Sequence, residues 1–410
     1  MPSAETVASA VGDVASAAGD VERLDTLIAH DARLLSAQLD ALRLRLFPPS
    51  AEKSLRAFSN SEAATLIGIS DAYLRQLSLA GEAPQAPKTA GGRRLYTLDQ
   101  INELRRILSR ARGYVPHRQP GEHLQVIAVT NFKGGSGKTT TAAHLAQYLA
   151  LRGYRILAID LDPQASLSAL FGYQPETDIG ENETLYGALR YDEAVRPLSQ
   201  IARTTYFPGI SIVPGNLELQ EFEHETPRER AGKRRGTETL FFARIAAALA
   251  TVEADYDVVI IDCPPQLGFL TLAALCAATS VLVTVHPQML DIASMSQFLL
   301  MASDLLEVVE QAGGRMRLDF LRYLVTRYEP QDGPQAQVVA FLRTLFSERV
   351  LTNAMVKSTA VSDAGLTKQT LYEIGRQGIG RATYERAMES VNAVNREVEI
   401  LVRAAWGRNP

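Results

Sequence analysis

The segment Val129-Thr130-Asn131-Phe132-Lys133-Gly134-Gly135-Ser136-Gly137-Lys138-Thr139-Thr140 constrains this chain more than any other. An apolar run, Gln125–Thr130, precedes it, and Ala142, Ala143, Leu145, Ala146 and Leu149 follow in a helical pattern. A strand that passes through a glycine-rich turn into a helix is the layout of a phosphate-binding loop. Glycines let backbone N–H groups turn toward phosphate oxygens with no side chain in between. The helix adds unpaired N–H donors and the positive end of its dipole. Lys138 then reaches the β- and γ-phosphates, and Thr139 offers its hydroxyl to Mg²⁺. Lys133, Gly134, Gly135, Ser136, Gly137, Lys138, Thr139 and Thr140 are thus the predicted nucleotide-binding residues. ATP and Mg²⁺ are the expected ligands.

Further apolar stretches lie at Arg155–Ile159, Ile210–Val213, Asp257–Ile261, Ser280–Val285 and Arg322–Thr326. Their apolar residues run continuously rather than alternate, as in strands buried on both faces of a parallel sheet. Two of them lead into acids. In Ile159-Asp160-Leu161-Asp162-Pro163-Gln164, a carboxylate at a strand end can orient a water in line with the γ-phosphorus. Capping of a helix at Ala165 is a compatible second role. The run Tyr256 to Ile261 ends in Asp262, which the strand's carboxyl end sets beside the Mg²⁺ site. The fold expected from this pattern is α/β: a parallel-sheet P-loop ATPase domain over residues 121–405.

Composition sets the surroundings of that domain. The chain has 410 residues, 46% apolar and 21% charged, which suits two or three domains and a core of α/β size. A net charge of −4, from 42 basic and 46 acidic side chains, does not advertise nucleic acid, and it leaves a local basic face open. Cys263 and Cys276 give no disulfide framework and no zinc spacing, in keeping with a reducing compartment. Met1 to Asp20 is Ala-rich and acidic, without the basic-then-apolar order of a secretory signal. The most apolar stretches, such as Leu272 to Val285, are too short or too polar to cross a bilayer. A cytoplasmic protein with no membrane association is expected.

Residues 1–48 read as a helical segment. Leu24, Leu27, Ile28, Leu34, Leu35, Leu39 and Leu42 recur at three- and four-residue steps, and the segment ends at Pro48-Pro49. Such a helix either covers the next domain or dimerises. Residues 49–115 form a second unit. Ser59 or Ser61 caps a helix through Ala63, Ala64 and Leu66; Gly68 breaks it; Ser70 or Asp71 caps a second through Tyr73, Leu74 and Leu77. Pro84 to Gly92 leads into Arg93-Arg94-Leu95-Tyr96, and Asp99 starts a helix through Ile101, Leu104 and Leu108. Helix, short turn and helix is the outline of a helix-turn-helix. With the Arg-Arg-x-Tyr stretch, the order resembles the winged helix-turn-helix of MerR-type regulators. That resemblance implies that Arg75 and Arg93 or Arg94 meet DNA. The plainer reading is a small helical domain with solvated arginines. Gly113, Pro116, Pro120 and Gly121 read as a linker.

The general phosphate-loop pattern has Gly five residues before Gly137; here Phe132 stands there, and a second lysine, Lys133, follows it. This Lys-Gly-Gly-x-Gly-Lys-Thr form resembles the deviant Walker A box of the ParA/MinD family of ATPases. The resemblance extends over roughly residues 123–380. It implies that Lys133 crosses a dimer interface to the nucleotide of the other subunit, so that a homodimer forms with ATP. It implies that Asp162 helps position the attacking water and that Asp160 lies near Mg²⁺ through water, with Lys133, Lys138 and Asp162 as the catalytic set. Three more stretches, Pro264 to Leu272, His286-Pro287 with Asp291 to Met295, and Leu324 to Pro330, resemble plasmid partition ATPases with an N-terminal regulatory domain. The RepA proteins of repABC replicons are among these. In that branch Thr326 and Arg327 lie near the adenine. DNA is held nonspecifically by basic residues of the C-terminal part: Lys357 falls at one such position, and Lys368 and Arg381 are looser candidates. Singly, each reads as well as a solvated charge.

The resemblance implies a plasmid partition ATPase with weak basal activity, stimulated by DNA and a ParB-type centromere-binding partner. It would be nucleoid-associated and repress its own operon through the N-terminal domain. Two rivals stand beside it. A MinD-like membrane-associated ATPase needs an amphipathic C-terminal helix, and Met388, Val391, Val394, Val398, Leu401 and Val402 match that pattern as well as they match a packing helix. The other is a transcription regulator that only senses ATP. Nitrogenase iron proteins share this ATPase core and hold an Fe–S cluster between subunits. Cys276 reads as core, and Cys263-Pro264-Pro265 is common in the partition branch, so no cluster is expected.

Overall fold

The structure, a computed structural model, describes residues 23–46, 53–89, 91–112, 117–232, 240–314, 316–374 and 380–408. The chain divides into two units, Met1–Glu52 and Lys53–Pro410. The first contains helix α1 (Leu24–Leu46), on which Leu24, Leu27, Ile28, Leu34 and Leu35 are exposed. The expected start of that helical segment, before residue 23, lies outside the described residues.

The second unit opens with a short antiparallel ribbon and three helices. Strand β1 (Phe58–Ser59) pairs with β2 (Leu95–Tyr96), and α2 (Asn60–Ile67), α3 (Asp71–Ala80) and α4 (Leu98–Arg112) pack around it. Ser59, not Ser61, caps α2. Its Oγ accepts the Glu62 N–H at 3.3 Å, and its own N–H donates to Glu62 Oε2 at 2.9 Å. That is a capping box, which satisfies two otherwise unpaired donors reciprocally. Gly68, at φ +85°, closes α2 in the left-handed region that a side chain disfavours. Ser70 Oγ then accepts the Tyr73 N–H to start α3. Tyr96 hydroxyl lies 2.8 Å from Ser78 Oγ and ties the ribbon to α3.

The remainder is a seven-stranded sheet in the order β5-β6-β4-β7-β3-β8-β9. The strands are β3 (Gln125–Thr130), β4 (Ile156–Asp160), β5 (Arg203–Thr204), β6 (Ile210–Val213), β7 (Val258–Asp262), β8 (Ser280–Val285) and β9 (Phe320–Val325). All neighbours run parallel except the edge pair β5 and β6. Every residue of β3, β4, β7 and β8 is buried, which is why none of them alternates in sequence. Alternate side chains feed two cores. Ile127, Ile156, Ile260 and Leu282 face one, and Ala128, Leu157, Ile261 and Val283 face the other.

The first core also takes up the N-terminal helices. Leu74, Tyr96 and Leu104 belong to the same cluster as Leu145 and Leu149 of α5 (Lys138–Leu151) and Val394 and Val398 of α9 (Arg381–Ala405). The expected division between residues 49–115 and 121–405 is thus a change of architecture without a break in packing. The opposite face carries α6 (Gln220–Gly232), α7 (Phe269–Ala277) and α8 (Met289–Gln311). Among the described residues α8 is long and apolar enough to cross a membrane by length and composition, which departs from the expectation that no stretch qualifies. It packs on the domain through Met295, Phe298, Ala302 and Val309, and Asp304, Glu307 and Glu310 are exposed. The C-terminal stripe of α9 also packs inward: Val391, Val394, Val398 and Val402 are buried, and Met388 and Leu401 are half-buried against the same core. That packing meets the helix-packing alternative for this stripe rather than the membrane one.

Candidate nucleotide site

The site forms where β3, β4 and β7 end side by side. β3 runs into the loop 131–137, and the loop is fastened to β8 and β9 rather than left to hang. Asn131 Nδ2 donates to Thr284 O at 2.5 Å, and Asn131 Oδ1 accepts the Lys133 N–H at 3.1 Å. Thr284 Oγ1 donates to Ser136 Oγ at 3.0 Å. Gly135 and Gly137 stand at φ +74° and +88°, the conformation that turns successive N–H groups inward and that side chains strain. Gly137 leads directly into α5, whose first turn opens onto the loop.

Thr326 and Arg327, which family resemblance sets near the adenine, meet the loop backbone here. Thr326 Oγ1 donates to Ser136 O at 2.7 Å, and an Arg327 Nη donates to Gly135 O at 3.1 Å. Both residues follow β9, so this strand contributes to the loop's shape.

The two lysines of the loop have different surroundings. Lys138 is buried, with Nζ donating back to Lys133 O at 3.2 Å. Burial lowers its pKa, and the charges of Asp262 and Asp162 oppose that shift. Lys133 is half-exposed, and its Nζ forms an ion pair with Asp291 at the start of α8. His286 Nδ1 lies 3.1 Å from the other oxygen of Asp291. Phe132 stacks on Phe298 of α8 at 5.7 Å, so the same helix is joined to the loop twice.

The acids come together through sheet register: Asp160 and Asp262 are cross-strand partners at the ends of β4 and β7. Asp160 is fully buried. Its Oδ2 accepts from Ser168 N at 2.8 Å and Ser168 Oγ at 2.7 Å, and its Oδ1 from Asp162 N at 3.2 Å. Burial still pushes its pKa up to about 6. Asp262 is fully buried, and neither oxygen has a hydrogen-bond partner. Burial, and then the charge of Asp160, push its pKa well above the carboxylate range. The Thr139 hydroxyl, outside strict hydrogen-bond geometry, and Lys138 oppose this. Asp162 is half-buried, with Oδ1 accepting from Gln164 N at 3.0 Å, so it turns the chain after β4.

Two orphaned carboxylate oxygens in the interior are costly unless a cation meets them. Mg²⁺ takes oxygen ligands, and Asp262 with the Thr139 hydroxyl at the head of α5 supplies them, so the residues present fit that ion. Burial raises the Cys263 thiol to about 12 and the half-buried Cys276 thiol to about 11. Cys276 is less enclosed than a core cysteine.

The DNA candidates do not converge on this site. Arg75 pairs with Asp71 one turn earlier on α3 and keeps most of its side chain exposed. Arg93 is exposed, and the Arg94 backbone forms an antiparallel β-bridge with that of Lys88, both on the arm that leads into β2. Lys357 pairs with Glu329 at 2.9 Å on the surface, and Arg381 pairs with Glu385 at 2.9 Å. Lys368, at φ +49°, accepts a bond from Lys53 through its carbonyl. Asp291, His286 and Glu223, which turn out to hold the site's surroundings, carried no predicted role. His286 and Asp291 lie in a stretch that family resemblance marked without a role, and the sequence signal for Glu223 is no more than an acid beside Phe222.

A parallel sheet with a glycine-rich loop, paired strand-end acids and a buried loop lysine defines a P-loop ATPase. Residues 124–312 match the AAA domain family. The chain is 56% identical over 401 residues to a Rhizobium rhizogenes protein described as "Putative replication protein A", covering 96% of this chain and 98% of that protein. It is 32% identical over 335 residues to Protein SopA of Escherichia coli strain K12, covering 79% of this chain and 82% of that one. A solved structure titled "Partition Protein" matches the fold with a TM-score of 0.60 at 18% identity, over 91% of this chain and 98% of its own. The chain belongs to the ParA/MinD family of partition ATPases.

Proposed function

We propose that this protein is a plasmid partition ATPase that hydrolyses ATP to ADP and phosphate and couples the cycle to dimerisation and DNA binding. The observation that carries the reading is the convergence of the buried loop lysine, Lys138, with the orphaned carboxylate of Asp262 at one end of the sheet. A triphosphate needs that pairing of cation and acid. Backbone N–H groups of residues 133–140 hold the phosphates, and Lys138 neutralises their charge. Thr139 and Asp262 hold Mg²⁺, which supplies charge stabilisation at the phosphates when bound. Asp160, the cross-strand neighbour of Asp262 on β4, lies near the Mg²⁺ through a water. Asp162, at the mouth of the site, orients the attacking water.

In this reading ATP draws Lys133 across to a second subunit and closes a homodimer that holds DNA nonspecifically, with Lys357 among its contacts. A ParB-type partner and DNA then stimulate hydrolysis, the γ-phosphate contact is lost, and the dimer loosens. The helix-turn-helix outline of α2 and α3, with Arg75, Arg93 and Arg94, serves operator binding and autorepression. The protein works in the cytoplasm on the nucleoid. The test is ATPase activity with DNA and the product of the adjacent downstream gene, against Lys138→Ala. Weak basal turnover, stimulation by both together and loss in the variant are expected. A rate indifferent to DNA and partner would favour a regulator that merely senses ATP. Flotation with liposomes without DNA retention would favour a membrane-associated ATPase.

A further inference from the structure

The loop between Asp262 and α7, residues 263–268, leaves the sheet beside the phosphate loop, and whatever holds the start of α7 holds its far end. Helix α7 begins with Gly268 at its N-cap and no capping side chain of its own. The first N–H groups of a helix lack acceptors unless something supplies them. Glu223, reaching over from α6, supplies two. Phe269 N–H donates to Oε2 and Leu270 N–H to Oε1, each at 2.8 Å. The carboxylate also sits where the helix dipole favours negative charge. The approach is close: a Cβ at Gly268 would come within 2.4 Å of Glu223 Oε1, so a side chain there would displace the carboxylate from the start of α7. Thr271 Oγ1 adds a tie to Gln266 O at 2.6 Å. At the near end, Cys263 N–H donates to Val129 O at 3.1 Å, next to the phosphate loop.

We infer that Glu223 is a positioning residue for ATP turnover: by clamping the start of α7 it fixes the loop 263–268 and the bearing of Asp262. This rests on the ATPase reading above. Glu223 lies outside the phosphate loop, so its loss leaves nucleotide affinity to residues 133–140 and acts on the chemical step. A misplacement on the order of 1 Å is enough to cost about 10²-fold in rate.

The test uses the full chain and four variants: Glu223→Ala, Glu223→Gln, Gly268→Ala and the Glu223→Ala/Gly268→Ala pair. ATP turnover and the affinity of a fluorescent ATP analogue are both measured. Glu223→Ala is expected to lower kcat about tenfold or more with analogue affinity within about twofold. Glu223→Gln, which keeps one acceptor oxygen, falls between. Gly268→Ala matches Glu223→Ala in the natural background and adds little to it, because the group it would strike is gone. The inference is overturned if Glu223→Ala keeps the natural kcat, if affinity and kcat fall together, or if the two losses multiply. A natural chain that neither binds the analogue nor turns over ATP sinks the ATPase reading itself, and this inference with it.

Discussion

Lys133 is ion-paired with Asp291 of its own chain, so the lysine that family resemblance sends to another subunit is held at home by α8. The pair is asymmetric: the Asp291 side chain is 5% exposed and that of Lys133 44%. Breaking it leaves a buried carboxylate with His286 as its remaining partner. Exposure of the lysine limits the pair's strength to about 1 kcal/mol. Asp291→Ala should therefore free Lys133 and let the ATP-dependent dimer form at about fivefold lower ATP, as measured by sedimentation. Lys133→Ala should abolish that dimer. If Asp291→Ala dimerises less readily, Asp291 acts across the interface and not as a latch.

The buried acids make the free protein sensitive to pH in a defined direction. Asp160 is raised to about 6 and Asp262 is raised further above its ordinary range. A carboxyl whose folded pKa exceeds its unfolded value favours the fold while protonated. That contribution is lost as pH climbs from the unfolded value, about 4, through the folded one. Without nucleotide the chain should melt higher at pH 5.5 than at pH 7.5 as far as these groups decide it. Asp262→Asn should stabilise it at pH 7.5 by about 1–3 kcal/mol and abolish turnover. Mg²⁺ and ATP should reverse the order of the melting temperatures. A destabilised Asp262→Asn at pH 7.5 would make this carboxylate structural.

What the sequence shows of this fold is what is encoded locally. Continuous apolar runs mark β3, β6 and β8 to the residue, and the start of α2 is legible as a choice between Ser59 and Ser61, which the bonds to Glu62 decide for Ser59. β4 and β7 sit one residue later than the apolar runs, because Asp257 turns its carboxylate on Arg155 ahead of the strand. β5 is two residues in an antiparallel edge, too short for any period. The phosphate loop and its acids are legible because glycines and strand-end carboxylates are local signals. Their supports are not: Lys133 and Asp291 are 158 residues apart, and Glu223 and Phe269 are 46 apart. Only folding brings such pairs together.

Gly137 tests the loop's shape. Its φ of +88° is left-handed, and an added Cβ would rest about 3.5 Å from Thr326, an ordinary contact. The penalty of Gly137→Ala is thus conformational, about 1–2 kcal/mol for a side chain in that region. The free loop should relax out of this conformation, so the penalty appears on binding: the analogue affinity should fall about tenfold with little change in melting temperature. Thr326→Ala, which removes the 2.7 Å bond to Ser136 O, should cost roughly 1 kcal/mol by the same measurement. An unaltered affinity in Gly137→Ala would mean the loop does not hold phosphates in this conformation.

Arg105 decides how firmly the N-terminal helices are joined to the nucleotide domain. It is 2% exposed and lies on α4. One Nη donates to Leu66 O at 2.7 Å near the end of α2 and also to Leu151 O, the last residue of α5; the other donates to Asn102 Oδ1 at 2.6 Å. Helix α5 therefore has the phosphate loop at its head and a guanidinium of the N-terminal helices at its foot, where a positive charge complements the dipole. Arg105→Ala leaves two buried carbonyls without this donor and should destabilise the chain by about 2–4 kcal/mol in urea. Arg105→Lys should recover less than half of that, since a single ammonium cannot reproduce the fork. Because both regions share one core, the loss should appear as a single shifted transition. Two separate transitions in the natural chain would show that the helices and the sheet fold independently and that Arg105 joins them only weakly.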